Sequence, residues 1–232
     1  MTRQSGPYLF GMVRASHLRR WGFALALSAL CQPQGLVGQT TGSVQGRVEL
    51  ETLPPRRRTA NRYPGGHTET HAVETLPAVA YLVGPIRGSA SDASAAMTQH
   101  DTTFVPSVVF VRPGGSVSFP NEDSFQHNVY SYSSAKTFDL GRQNPGSSAS
   151  ETFPETGVVE VFCEVHDFMR GAVIVTDNPF SAIVGSDGSF RITGVPPGEY
   201  TIAFWHSEHA PEQRSVTVTA GATATVEVQM RR

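Results

Sequence analysis

Along residues 223–230 (TATVEVQM), Ala224, Val226, Val228 and Met230 alternate with Thr225, Glu227 and Gln229. A period of two with one apolar face predicts a strand that packs on a core and turns its other face to water. Residues 42–50 (GSVQGRVEL) repeat the pattern, with Val44, Val48 and Leu50 on one face. Apolar runs at 78–83, 107–111, 116–119, 158–163, 172–175, 189–193, 200–205 and 215–219 predict further strands, set apart by turns such as Arg112-Pro113-Gly114-Gly115. Between them, residues 51–76 lose apolar content and carry an Arg56-Arg57-Arg58 run and Pro64-Gly65-Gly66, which predicts a long exposed loop. His67 and His71 in that loop read as solvated residues rather than a metal pair. Residues 89–96 (SASDASAA) read as a small-residue linker. The chain as a whole reads as all-β.

Composition agrees: with 22 Gly and 16 Pro in 232 residues, many turns and short strands are favoured, and 39% apolar residues suffice for a packed core. A net charge of -2 lacks the basic surplus of a nucleic-acid binder. No phosphate loop, nucleophile elbow or basic-aromatic stripe is present. The charge is unevenly placed, however, because residues 1–31 hold Arg3, Arg14, Arg19 and Arg20 and no acid. The apolar run 21–31 (WGFALALSALC) after Arg19-Arg20 is too short to span a bilayer and fits the core of a secretory signal. Residues 1–31 are therefore expected to be a signal peptide, with cleavage between Cys31 and about residue 38, and Met12 would begin a more ordinary start. Leu30 argues against lipidation of Cys31, and Gly22 against twin-Arg export. The mature chain is expected in the periplasm or at the cell surface, with no integral membrane span. Cleavage after Cys31 leaves Cys163 as its single cysteine, in a compartment where thiols are usually paired or oxidised.

Cys163, His166 and Met169 form a C-x2-H-x2-M run between two predicted strands, and His127 follows the strand at 116–119. A thiolate and two imidazoles with a weak axial thioether are the ligand set of a blue-copper electron-transfer site. Zinc would want a fourth N, S or O ligand in place of the thioether. Burial as simple core residues accounts for Cys163 or Met169 singly, but not for the conjunction.

Residues 119–129 (FPNEDSFQHNV), with N-x-D followed by H-N-V, resemble the first ligand loop of plastocyanin and amicyanin, and residues 163–171 (CEVHDFMRG) are similar to the amicyanin and pseudoazurin ligand loop. Phe138-Asp139-Leu140-Gly141 extends the likeness to methylamine-utilisation-type cupredoxins. The resemblance spans residues 97–177 and implies one type 1 copper bound by His127, Cys163, His166 and Met169, with Asn128 hydrogen-bonding across to the Cys163 loop. Gln126 and Glu164-Val165 depart from the common pattern. Residues 187–190 (DGSF) and 194–200 (GVPPGEY) are similar to the carboxypeptidase-regulatory-like, prealbumin-like β-sandwich, whose usual first strands correspond to 42–50 and 78–83. The expected architecture is a Greek-key cupredoxin at 97–177, inserted in or packed on a discontinuous sandwich of 42–96 plus 178–232. The alternative gives 78–83 to the cupredoxin as its own first strand.

The leading function is an exported single-electron carrier. The competing one is a non-redox periplasmic or cell-surface copper-binding or interaction protein. An oxidase or nitrite reductase would need His-x-His ligands, which this sequence lacks, so no enzyme is expected. A redox protein is expected to dock near His166 on an apolar patch of Phe125 and Phe168, with Glu122, Asp123, Glu164 and Asp167 as an acidic rim. His206 and His209 read as exposed loop residues.

Overall fold

The computed structural model describes residues 40–52, 57–59, 70–72, 75–86 and 91–232. Residues 1–31, with Cys31, lie outside the described residues, as does His67. All regular structure among the described residues is β. β1 (Gly42–Leu50) is followed by β2 (Arg57–Thr59) and β3 (Thr70–Ala72), then β4 (Val79–Leu82). The loop expected across 51–76 thus contains an antiparallel ribbon, with Arg58 opposite His71. Backbone groups alone make such a ladder, so low apolar content does not forbid it.

The next strands are β5 (Ser94–Ala96), β6 (Thr98–His100), β7 (Thr103–Val105), β8 (Val108–Val111), β9 (Gly115–Pro120) and β10 (His127–Ser133). β11 (Lys136–Gln143), β12 (Ser148–Phe153), β13 (Gly157–Phe162) and β14 (Arg170–Val175) complete the middle of the chain. β15 (Ser181–Ile183), β16 (Ser189–Val195), β17 (Gly198–His206), β18 (His209–Val218) and β19 (Thr223–Met230) end it.

The first and last strands build one sandwich from the sheets β16-β1-β19 and β15-β4-β17-β18. Val44, Val48, Leu82, Phe190, Ile202, Phe204, Val226, Val228 and Met230 fill it. β1 and β19 run parallel in register from Ser43 opposite Thr223 to Leu50 opposite Met230. At Gly46 a Cβ would fall 1.6 Å from the Val226 carbonyl oxygen, so only glycine admits this approach. The Asp187-Gly188 turn carries the chain from β15 in one sheet to β16 in the other rather than closing a hairpin. Asp187 Oδ1 accepts the Ser189 N–H there at 2.9 Å, and Gly188 takes φ +82°. The corner before β17 is fixed by the Tyr200 hydroxyl donating to Pro196 O at 2.9 Å.

The middle strands form a second sandwich, β11-β10-β13-β14-β8 against β12-β9-β5. Phe104, Val117, Phe119, Val129, Phe153, Val159, Val161 and Val173 pack inside it. The stretch that reads as a linker supplies β5, parallel to β9, because Ala95 is small enough to pack against this core under a short edge strand. The turn at Arg112 to Gly115 joins β8 in one sheet to β9 in the other.

A third apolar layer of Leu76, Val79, Val108, Ala172 and Ile174 lies between the two cores. β4 alternates Val79 and Tyr81 into this layer with Ala80 and Leu82 into the first core. β14 alternates Ala172 and Ile174 into it with Val173 and Val175 into the second core. A strand buried on both faces reads as an unbroken apolar run, as AVIV does at 172–175. Asn178 Nδ2 donates to Leu82 O and Gly84 O, both at 2.8 Å, so the crossing back to β15 keeps its buried polar groups paired.

Candidate metal centre

His127 opens β10, and Cys163 directly follows the end of β13, whose last residue, Phe162, pairs with Arg170 of β14. His166 and Met169 lie in the short loop that returns to β14, closed by the Met169 N–H donating to His166 O at 3.0 Å. Cys163 and Met169 are buried, His127 is fully buried and His166 is half-buried. His127 Nδ1 lies 3.7 Å from Cys163 Sγ, His166 Nδ1 lies 3.9 Å from the same sulfur, and the two nitrogens are 3.1 Å apart. A circle through those three atoms has a radius of about 2.1 Å, within the 2.0–2.3 Å range of metal–imidazole and metal–thiolate bonds. The donor set therefore fits a single soft or borderline metal ion in a trigonal plane.

The rear of the site is equally constrained. His127 Nε2–H donates to Asp123 Oδ2 at 2.7 Å, which leaves Nδ1 as the ligating atom. Asp123 in turn accepts the Asp101 N–H at 2.7 Å and the Thr102 N–H at 3.1 Å. Asp101 and Thr102 hold φ of 50° and 57°, the left-handed region that a β-branched residue such as Thr102 rarely occupies. That strained turn aims two consecutive N–H groups at one carboxylate. Burial alone would push the Asp123 carboxyl up, but the hydrogen bonds from Thr102, His127 and Asp101 outweigh it and hold it below the usual range.

Asp123 is therefore not part of an exposed acidic rim: it is 9% exposed and built into the site, whereas Glu122, Glu164 and Asp167 do face solvent. The i,i+4 spacing from Asp123 to His127 was the available signal. Asn121 shapes the same loop, donating to Phe125 O at 2.9 Å and Gln143 O at 3.1 Å and accepting the Asp123 N–H at 3.1 Å.

Asn128 Oδ1 accepts the Glu164 N–H at 2.7 Å, and its Nδ2 donates to Asp139 Oδ1 at 3.0 Å, which links the first ligand strand to the backbone just after Cys163. The Phe125 ring lies 5.0 Å from that of His127 and 5.4 Å from that of His166, and Phe168 lies 5.8 Å from His166. Phe125 is 41% exposed. His206 is buried at 3% exposure at the end of β17, and His209 begins β18, so neither is the loop residue that the sequence implies.

Residues 91–176 match the copper binding proteins of the plastocyanin/azurin family, and residues 167–231 match the carboxypeptidase regulatory-like domain. No curated protein matches the chain. Among solved structures, a novel purple cupredoxin from Nitrosopumilus maritimus is 24% identical, over 35% of this chain and 99% of its own, with a TM-score of 0.33. Amicyanin from Paracoccus versutus is 26% identical over 35% of this chain and 80% of its own, with a TM-score of 0.34. A Cu-containing nitrite reductase from Thermus scotoductus is 20% identical over 56% of this chain and 28% of its own, also at 0.34. The family matches and the all-β topology define a cupredoxin β-sandwich combined with a carboxypeptidase-regulatory-like one. The protein is a cupredoxin-like copper-binding protein with a His-Cys-Met candidate site, and copper is its cofactor. Among the described residues, no helix is long and apolar enough to cross a membrane.

Proposed function

We propose that this chain is an exported single-electron carrier, not an enzyme, in which His127, Cys163, His166 and the thioether of Met169 would hold one type 1 copper. The observation that carries this reading is the triangle of one sulfur and two imidazole nitrogens, buried at Cys163 and His127 and half-buried at His166. Copper bound there supplies a couple that changes by one electron. The protein's own part is to hold one geometry for both oxidation states. Asp123 fixes the His127 ring from behind, and Asn128 pins the backbone after Cys163. β10, β13 and β14 lie in one sheet and carry both ligand segments. Ligands held in this way move little on electron transfer, and their hydrogen-bonded partners set orientation and basicity.

Electrons leave through the half-buried edge of His166. Phe125 and Phe168 flank it as an apolar docking patch for a redox protein, where a small contact forms and releases quickly. Glu122, Glu164 and Asp167 steer a basic face of that partner. Residues 42–93 plus 178–232 form the discontinuous carboxypeptidase-regulatory-like sandwich and residues 94–177 the cupredoxin set into it, because β5 (Ser94–Ala96), expected in the first sandwich, pairs with β9 in the second. The pairing of β1 with β16 and β19, and of β4 with β15 and β17, supports that division. The arginine-rich, acid-free N-terminus supports a signal peptide and a periplasmic or cell-surface location.

A visible and EPR spectrum of the copper-loaded full-length protein tests the reading: an intense visible band should bleach with ascorbate and return on oxidation. A colourless copper protein, or a colour that ascorbate does not bleach reversibly, would overturn it in favour of non-redox copper binding. Phe168→Glu should slow electron exchange with a redox partner while the spectrum is retained. Equal exchange rates in variant and wild type would remove this face as the port.

A further inference from the structure

Outside the copper-binding sandwich, the β17–β18 hairpin closes through Ser207 and Glu208, with His206 directly opposite His209. Their Nδ1 atoms are 2.8 Å apart and their ring centroids 4.6 Å apart. The outer hydrogen bonds settle where the protons lie. His209 Nε2 is 3.0 Å from the Glu51 carbonyl oxygen, which can only accept, so Nε2 carries the hydrogen. The Glu208 N–H donates to His206 Nδ1 at 3.1 Å, so that nitrogen carries no hydrogen. With both imidazoles neutral, neither Nδ1 carries a hydrogen, so two unprotonated nitrogens stand 2.8 Å apart and repel until a proton or metal cation sits against them, the Glu208 N–H giving up its acceptor to it.

We propose that His206 and His209 form a second metal site, a two-imidazole chelate for a divalent transition ion of the copper or nickel kind. Bonds of about 2.0–2.1 Å at right angles place neighbouring nitrogen donors about 2.8–3.0 Å apart, which matches the observed separation and the square-planar habit of Cu(II). His206 lines a cavity of about 920 Å³, so water can fill the remaining positions. Burial first and His209 second hold His206 below the ordinary histidine value, which keeps its ring available as a neutral ligand. The hairpin supplies both ligands from adjacent strands and needs nothing from the blue-copper candidate site.

The test is a titration of the full-length protein with Cu(II), beginning from protein that already holds one copper at Cys163. One further equivalent should bind and give an EPR signal with wide copper hyperfine splitting and lines from two nitrogens. His209→Ala, a change at a half-buried hairpin position, should weaken that equivalent at least about tenfold and leave the visible band unchanged. His206→Asn, checked for an unchanged thermal midpoint, should do the same. Three results would overturn the site: no second equivalent in the wild type, a second equivalent that survives in both variants, or imidazole NMR showing that only a proton bridges the pair in the presence of Cu(II).

Discussion

The two sandwiches each carry a pair of histidines with nearly the same internal geometry. His127 and His166 hold their Nδ1 atoms 3.1 Å apart and their ring centroids at 4.8 Å, against 2.8 Å and 4.6 Å for His206 and His209. Their surroundings differ. The first pair joins two segments distant in sequence, closes on Cys163 Sγ, and has a carboxylate behind one ring. The second pair sits on one hairpin, with His206 lining a cavity. Soft sulfur holds Cu(I) as well as Cu(II), while imidazole and oxygen alone favour the divalent ion. The proposed redox centre and the proposed chelate thus differ in the third ligand and in what holds the rings, more than in the rings themselves.

Removing the third ligand should erase that difference. Cys163→Ser is expected to abolish the intense visible band completely, because the thiolate supplies the charge transfer, while weak copper binding persists at His127 and His166. EPR of the loaded variant should then show ordinary signals of the kind expected from His206 and His209, and a retained band would break the comparison. The next largest effect concerns the layer that couples the sandwiches. Ile174 is fully buried against Val79 and Val108, so Ile174→Ala should cost about 2–5 kcal/mol in denaturant unfolding of the whole chain. Loss of one sandwich's signal ahead of the other's would show that the layer does not couple them.

Alternation and a compact ligand run made the copper-binding sandwich readable. Cys163, His166 and Met169 fall within seven residues, and the strands around them are apolar enough to be seen one by one. The hairpin pair was present in the sequence as H-x2-H, but nothing local told that His206 would be buried, because the residues that share its cavity come from β1 and from the segment before β4, distant in sequence. β5 escaped notice because Ser94-Ala95-Ala96 has no strand propensity, and its pairing with β9 is decided by tertiary packing. The Asp123 tether was hidden for a related reason. A carboxylate in a run with Glu122 looks like surface until the backbone of Asp101 and Thr102 is brought against it.

Asp123 sharpens the comparison at intermediate size. Asp123→Asn keeps the shape but removes the charge that holds His127 Nε2–H, so copper affinity should fall about 10–100-fold with the visible band still present. Competition with a chelator measures it. Affinity equal to wild type would mean that the strained turn and its carboxylate serve the fold rather than the ligand.

The smallest effect lies with His206 in the metal-free protein. Burial first, and the neighbouring His209 second, hold His206 below the ordinary histidine value, with Glu208 pulling weakly the other way. The unfolded chain keeps a value of about 6.5. Between the folded and unfolded values the unfolded state binds a proton that the folded state refuses, so the contribution of His206 is fully present above about pH 6.5 and is lost as pH falls toward the folded value. His206→Gln has no such proton to take up. Thermal midpoints of wild type and variant, compared from about pH 7.5 down to about pH 5, should therefore converge or cross as the wild type loses its advantage, by a few degrees at most. Parallel curves across that range would show that folding leaves proton uptake by His206 unchanged and would overturn the burial argument.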